Sequence, residues 1–375
     1  MSAQDRMVIV HSSDEMYGAD RMVLEMVAAA APAITVEVWL PTDIAHPATP
    51  LCRELERRGT AVRHLPLPIL RRAYLRPRGV LGIIRRAISL YRALRAARPT
   101  VLYCATSATL PAAPIGRLLR IPRVTAHVQE IWSRADRAAL GLLVRCCHRV
   151  VAISTASAAS LPSPVRRRTT VVPNATAEPP RVVPLDGRTG PLRYLIASRW
   201  NGWKGHRTLL AAWQRAGCPG QLLVLGGRPP SGSAVDVPEL VTALGISATV
   251  QVVGEVPDPD SYLERADVVL VPSDRPEPFG LVAIEAFARG RPVIASAAGG
   301  LTDIVTDGID GWLFPPADVD ALARLLAGLD RARVHAAGDA GRRSYRQRYL
   351  IDRFAAQWRA AVLGPTTGDG RVSPR

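Results

Sequence analysis

Two glutamates, Glu277 and Glu285, stand eight residues apart in Asp274-Arg275-Pro276-Glu277-Pro278-Phe279-Gly280-Leu281-Val282-Ala283-Ile284-Glu285, directly after Val271-Pro272-Ser273. Pro278 and Gly280 predict a turn, and Leu281 to Arg289 a helix closed by Gly290. The first amides of a helix have no partner inside it, so such a start is a ready anion site. Carboxylates placed on either side of it can accept hydrogen bonds from sugar hydroxyls while the amides face a diphosphate. Upstream, Ala197-Ser198-Arg199-Trp200-Asn201-Gly202-Trp203-Lys204-Gly205 carries a second pair of charges. Lys204 is the only lysine in the chain, among 48 basic residues. Lysine meets phosphate as a compact point charge and arginine as a bidentate fork, so the two are not interchangeable.

The elements that must hold these residues read as strands alternating with helices. Met7–Val10, Thr35–Trp39, Thr100–Tyr103, Arg123–His127 and Val150–Ser154 are predicted strands, and Arg168–Pro173 follows them. A Pro/Gly-rich linker spans Pro173–Pro191. The alternation resumes at Leu192–Ala197, Leu222–Gly226, Val250–Val253, Val268–Val271 and Pro292–Ala295. Strands separated by helices imply parallel sheets. The expected fold class is therefore α/β, with two doubly wound, Rossmann-like domains facing across a cleft and ligands bound beyond the strand ends.

The E-x7-E spacing flanking Pro-Phe-Gly-Leu-Val-Ala-Ile resembles that of glycosyltransferase family 4, the retaining transferases of the GT-B fold. The segment around Arg199 and Lys204 looks like the family's grip on the donor diphosphate. Leu225-Gly226-Gly227, Val253-Gly254-Glu255-Val256, Ala298-Gly299-Gly300-Leu301 and Asp310-Gly311-Trp312 stand where the family has its donor-side loops. The likeness is close over residues 190–320 and looser before them. There, Tyr17-Gly18-Ala19-Asp20 resembles the family's G-G-A-E loop with one glycine lost, and Pro173-Asn174-Ala175 its P-N-G. Thr125-Ala126-His127 matches the family's active-site histidine. Glu130 lies nearby on the acceptor side.

The resemblance implies residues 1–180 as an acceptor-side domain and 190–341 as a donor domain. A C-terminal helix over 342–363 would pack back on the first domain, and 364–375 would form a loose tail. It implies His127, Glu277, Arg199 and Lys204 as catalytic residues, with Gly18, Gly226, Gly254, Phe279, Gly280, Leu281 and Glu285 around the donor. Glu277 would orient sugar hydroxyls and Glu285 the ribose. Transfer would run with retention by front-face attack, from a UDP- or GDP-linked sugar to a hydroxyl acceptor, lipid-linked or belonging to envelope or exopolysaccharide assembly. Retaining glycosidases use a carboxylate nucleophile, and no residue is identifiable for that role. No metal or cofactor is expected: Asp258-Pro259-Asp260 spells a metal-binding D-x-D, but it precedes a short helix whose start favours aspartate and proline.

The chain has 375 residues and a net charge of +16. The excess is local. Residues 1–185 hold 26 arginines against 12 acidic residues, and none of the acids falls between Arg57 and Gln129. Arg71, Arg72, Arg76, Arg78, Arg85 and Arg86 open this stretch among Ile, Leu and Ala, a pattern suited to an anionic membrane surface or a phosphate-bearing acceptor. Nucleic acid is not expected, because no recognition motif accompanies the charge. Five cysteines without metal-like spacing fit a reduced, cytoplasmic setting. No charged leader and no apolar run of about 18 residues is present, so the protein is expected to be soluble or peripheral at the inner membrane face. The rival readings are an epimerase or phosphorylase on the same fold, which would need no acceptor or would need phosphate, and a non-enzymatic polyanion binder, which salt would dissociate.

Overall fold

The computed structural model describes residues 5–44, 48–71, 77–229 and 233–364, apart from the side chains of 77–80. The chain divides into two compact units, one running to Asn174 and resuming at Ile351, the other spanning Ala175–Leu350.

In the first unit β1 (Arg6–Val10), α1 (Gly18–Ala30), β2 (Thr35–Pro41), α2 (Pro50–Arg57) and β3 (Ala61–Leu65) build one half of a sheet. The chain then crosses through α3 (Pro77–Ala97) to β4 (Val101–Cys104). It continues through α4 (Ala112–Leu118), β5 (Arg123–Val128), α5 (Arg134–Arg145), β6 (Arg149–Ala152), α6 (Thr155–Ala159), α7 (Ser163–Arg166) and β7 (Thr169–Val171). All seven strands are parallel, in the order β3-β2-β1-β4-β5-β6-β7. Helices cover both faces, so Met7 to Val10 and Val101 to Cys104 are buried apolar runs rather than alternating ones.

The second unit runs β8 (Leu192–Ala197), α8 (His206–Arg215), β9 (Gly220–Leu225), α9 (Val237–Ala243), β10 (Val250–Gly254), α10 (Asp260–Arg265) and β11 (Val268–Val271). After these come α11 (Leu281–Ala288), β12 (Val293–Ser296), α12 (Leu301–Ile304), β13 (Gly311–Phe314), α13 (Val319–Ala327) and α14 (Arg331–Arg348). Its parallel sheet has the order β10-β9-β8-β11-β12-β13. In each parallel sheet the winding order of the strands reverses once, between β1 and β4 and between β8 and β11. Loops diverge at such a point and leave a crevice at the carboxyl ends of the strands. The loops carrying Arg199 and Lys204 (after β8) and Glu277 (after β11) flank the second of these points.

The structure corrects the sequence reading at the linker, at the C-terminal helix and at two edge strands. The expected linker is pinned to the second unit: Arg188 donates to Asp267 (2.7 Å) and to the carbonyls of Glu264, Arg265 and Ala266, while Arg291 donates to the Val183 carbonyl (2.6 Å). These bonds bind residues 183–188 to the second unit and move the boundary from 180–190 to Asn174. The helix expected over 342–363 is two helices, α14 and α15 (Ile351–Leu363). The ladder breaks at Tyr349, whose carbonyl accepts from the Thr176 amide (3.3 Å). Only α15 belongs to the first unit, where it packs on α1. The sequence reading also missed β3 and β13, both at sheet edges. β3 interrupts its apolar pattern with Arg63 and His64, and β13 begins with the glycine of the loop expected at Asp310-Gly311-Trp312. The expected tail lies, from residue 365 on, outside the described residues. Among the described residues, no helix is long and apolar enough to cross a membrane.

Candidate active site

In the second unit the two charged loops are stapled together through backbone. Gly205 adopts left-handed backbone (φ 77°), and a Cβ there would sit 1.7 Å from the Pro272 carbonyl at the end of β11. Only glycine allows that approach. The Asp274 amide donates to the Trp203 carbonyl (2.8 Å), and Thr208 Oγ1 donates to Asp274 Oδ1 (2.7 Å). Lys204 closes the short 3-10 turn Gly202–Lys204 and lies over the Trp203 ring, 4.2 Å from its centroid.

This staple brings Lys204 to Glu277. Lys204 Nζ donates to both carboxylate oxygens, at 2.8 and 2.9 Å, and Ser273 Oγ donates to Oε2 at 2.8 Å. Glu277 is only 8% exposed. A carboxylate so enclosed needs its charge balanced, and Lys204 balances it. Sequence reasoning gave the two residues separate tasks, whereas the structure makes them one unit. It also missed Ser273, although a hydroxyl closing the strand end four residues before Glu277 was there to be read.

The Glu277 backbone is clamped from the other side. It forms a parallel bridge with Gly299, and its carbonyl accepts from the Gly300 amide at 2.7 Å. A Cβ on Gly299 (φ 68°) would lie 2.1 Å from the Glu277 carbonyl oxygen, and one on Gly300 2.6 Å from that of Pro278. The glycines of Ala298-Gly299-Gly300-Leu301 thus serve close backbone approach. Gly280 (φ 109°) caps α11, and a side chain there would meet Leu301 at 2.6 Å. Leu281 opens α11 and Glu285, half-buried, lies one turn along it. Phe279 is buried and packs edge-on against Tyr349 (centroids 6.2 Å apart), so only its backbone can face a ligand.

Arg199 follows β8 by two residues and is half-buried. Gly226 (φ 103°) passes beneath it, where a Cβ would lie 2.1 Å from the Ser198 carbonyl, so Gly226 shapes the Arg199 loop. The Gly226 amide donates to the Gly254 carbonyl (2.8 Å), and Gly254 (φ 91°) has open space beside it. His206, one residue past the staple, went unnoticed in the sequence. Burial, then the Lys204 charge, lowers its pKa to about 4, and neither ring nitrogen has a partner among the described residues. The Asp258-Pro259-Asp260 motif leads into α10 with Pro259, not an aspartate, at the cap position: Asp258 Oδ1 accepts from the Asp260 amide (2.9 Å), and Asp260 pairs with Arg289 (2.7 Å).

In the first unit His127 is the penultimate residue of β5, buried, with its ring edge-on to Tyr103 at 5.9 Å. Tyr103 Oη accepts from Trp358 Nε1 of α15 (2.8 Å). Burial pushes the His127 pKa down to about 3, and neither nitrogen has a partner among the described residues. It is therefore a neutral imidazole with hydrogen-bonding capacity unspent. Gly18 opens α1, but the neighbouring Asp20 is internal. It accepts from His11 (2.9 Å), Ser13 (2.7 Å) and the Tyr17 amide (3.0 Å). Burial opposes ionisation of Asp20, yet these bonds outweigh it and hold its pKa below the usual carboxylate value. Glu130 accepts from Ser107 (2.5 Å), and burial raises its pKa.

One group of metal-ligand type occurs among the described residues: Asp14, Cys52 and His64, with donor atoms within 4.8 Å. Asp14 accepts from the Cys52 amide (2.9 Å) at the start of α2 and pairs with His64 (3.1 Å). Burial, followed by Glu56 and Asp14, pushes the Cys52 thiol up to about 11. A helix cap accounts for this trio.

Of the expected basic surface, Arg71 makes a bidentate pair with Asp43 (2.7 and 2.8 Å), and Arg86 also reaches Asp43 (4.0 Å). Both are therefore internal to the unit. Arg85 is exposed. Arg72 and Arg76 lie outside the described residues, as does the side chain of Arg78.

Two family profiles match the chain: "Glycosyl transferases group 1" over residues 186–336 and "Glycosyltransferase Family 4" over 16–177. The D-inositol 3-phosphate glycosyltransferase of Kribbella flavida is 45% identical over 112 residues, 28% of this chain and 26% of that protein. That of Mycobacterium avium is 38% identical over 161 residues, 40% of this chain and 38% of that protein. The chain thus spans about a quarter to two fifths of the length of these relatives. Anabaena HepE, solved in complex with UDP and glucose, superposes with a TM-score of 0.77 at 20% identity, covering 94% of this chain and 97% of that one. Sucrose-phosphate synthase from Thermosynechococcus elongatus gives 0.73 at 23% identity, over 94% and 97%. At these identities the structural likeness shows the fold, which is GT-B. Profiles over both units and a GT-B fold together establish that the chain belongs to glycosyltransferase family 4.

Proposed function

We propose that the protein is a retaining glycosyltransferase, moving a sugar from a UDP- or GDP-linked donor to a hydroxyl acceptor. The observation that carries this reading is the Lys204–Glu277–Ser273 cluster at the switch point of the second sheet. A donor diphosphate entering there would share Lys204 with Glu277. Lys204, Arg199 and the first amides of α11 stabilise the departing diphosphate. Glu277, fixed by its two partners, orients sugar hydroxyls, and Glu285 takes the ribose. His127 contributes its neutral imidazole to the transferred sugar. In the transfer step the acceptor oxygen bonds to the anomeric carbon on the face the phosphate leaves. The anomeric carbon–phosphate oxygen bond breaks, and the acceptor proton passes to the departing oxygen. No step needs a metal or cofactor.

HepE holds UDP and glucose, which makes UDP-sugars the first donors to try. The relatives named for inositol 3-phosphate, with the basic first unit, favour an acceptor bearing phosphate. A lipid-linked acceptor of envelope or exopolysaccharide assembly, met at the cytoplasmic face of the membrane, combines both features. The test is a panel of UDP-, GDP-, ADP- and dTDP-sugars read by thermal shift and calorimetry on wild type and Lys204→Ala. One nucleotide class should stabilise the wild type and bind the variant about 10- to 100-fold more weakly, the scale of a charge-assisted contact. Absence of binding by every nucleotide sugar sinks the reading.

A further inference from the structure

We infer that the outer layer α3–α5 of the first unit is a docking surface for an anionic lipid bilayer, with α3 lying in the plane of the headgroups. It deepens the proposed function by naming the surface at which the acceptor is met. At about 3.6 residues per turn, Leu90 and Leu94 fall on one side of α3, and both are buried. Opposite them lie Leu81, Ile84 and Ile88, exposed by 66, 51 and 47%. Arg85, Arg92 and Arg95 share that outward stripe and are exposed, and none forms an ion pair among the described residues. A soluble helix normally turns such an apolar stripe inward. Here the inward side is already occupied, and a second apolar side faces out.

The neighbouring helices extend the face. Right-handed crossovers place α3, α4 and α5 on the same side of the sheet, and α4 packs against both others. Leu118 of α4 and Leu142 of α5 are 72 and 71% exposed. The combination selects the occupant. A polynucleotide would use the arginines but gain nothing from five exposed leucines and isoleucines. A bilayer interface takes both, since apolar side chains enter the acyl boundary while arginines meet lipid phosphates. Of the arginines expected from sequence and described, Arg71 and Arg86 serve Asp43, whereas Arg85 serves the surface together with Arg92 and Arg95.

The test sediments the full chain with vesicles of phosphatidylcholine alone or mixed with phosphatidylglycerol. Wild type should bind the anionic vesicles and not the neutral ones. Replacing all three arginines by glutamine should weaken binding by about 100-fold, the sum expected for three basic residues at an anionic surface. Replacing Leu81, Ile84 and Ile88 by serine should weaken it by at least tenfold, and Arg324→Gln on the second unit should not alter it. Unchanged thermal unfolding establishes that the variants fold. The inference is overturned if wild type ignores anionic vesicles, if the serine variant binds like wild type, or if a single-stranded oligonucleotide binds both proteins equally and strips them from the lipid. Nucleotide-sugar binding in the same preparation separates the two readings: vesicle binding without donor binding sinks the proposed function and leaves this one standing.

Discussion

At the switch point of the second sheet, a partly exposed Lys204 closes over the buried Glu277, which Ser273 also holds. The first sheet turns its polar groups inward. There Asp20 gathers His11, Ser13 and the Tyr17 amide to close the start of α1, and His127 stays buried and neutral beside Tyr103. The topologies match, so the difference comes from which charges the sequence places after the strands. A cation and a carboxylate on two stapled loops make a site whose charge a ligand can share. An aspartate with three donors of its own is already satisfied and does structural work. Similar folds therefore supply one charge-bearing site and one neutral one.

The largest effect should come from the charged cluster. Glu277→Gln keeps the shape but removes the charge that holds Lys204, and turnover should fall on the order of 100-fold. Combined with Lys204→Ala, the loss of donor affinity should be non-additive by about 1–3 kcal/mol. Strict additivity in the double-mutant cycle would show that the two residues act apart and would break the comparison at its centre.

A smaller effect should follow from the clamp. Gly299→Ala places a Cβ into the Glu277 backbone at a left-handed position, and should cost about 2 kcal/mol or more in stability and weaken donor binding with it. Gly254→Ala has the same backbone hand but open space, and should cost only about 1 kcal/mol. Equal losses would mean that the close approach at Glu277 plays no part.

The gentlest test concerns the neutral site. The unfolded chain protonates His127 near its ordinary value of 6.5, whereas the folded chain does so only near about 3. Its contribution to stability is thus complete above the ordinary value and is lost as pH falls toward the folded one, by up to about 1.4 kcal/mol per pH unit. His127→Gln should remove one proton from that slope in urea midpoints measured across the acid range. His206, at about 4, adds a slope of the same sign in the second unit and should be untouched. An unchanged slope would place His127 in contact with water.

Strand-and-helix alternation and the spacing of Glu277 and Glu285 were legible because they are local. Parallel strands announce themselves as apolar runs, and a turn before a helix is written in Pro278 and Gly280. β3 escaped because Arg63 and His64 break its apolar pattern, and β13 because it is only four residues long and opens on a glycine that reads as loop; the linker misled because its Pro and Gly content says nothing of Arg188 and Arg291 pinning it down. The basic surface was legible as composition and misread in detail. Only the packing of α3 against its neighbours decides that Arg85 faces out and Arg86 reaches Asp43.

By itself, then, the sequence determined two α/β units, the loops that carry chemistry and the lone lysine among arginines, since each is a property of neighbouring residues. Tertiary structure alone decided that Lys204 and Glu277, 73 positions apart, form one ion pair, that Asp20 is a cap and that Trp358 reaches Tyr103 beside His127. Those outcomes depend on which strand ends the sheet order brings together and on how closely glycine lets their backbones approach, and no local pattern encodes either.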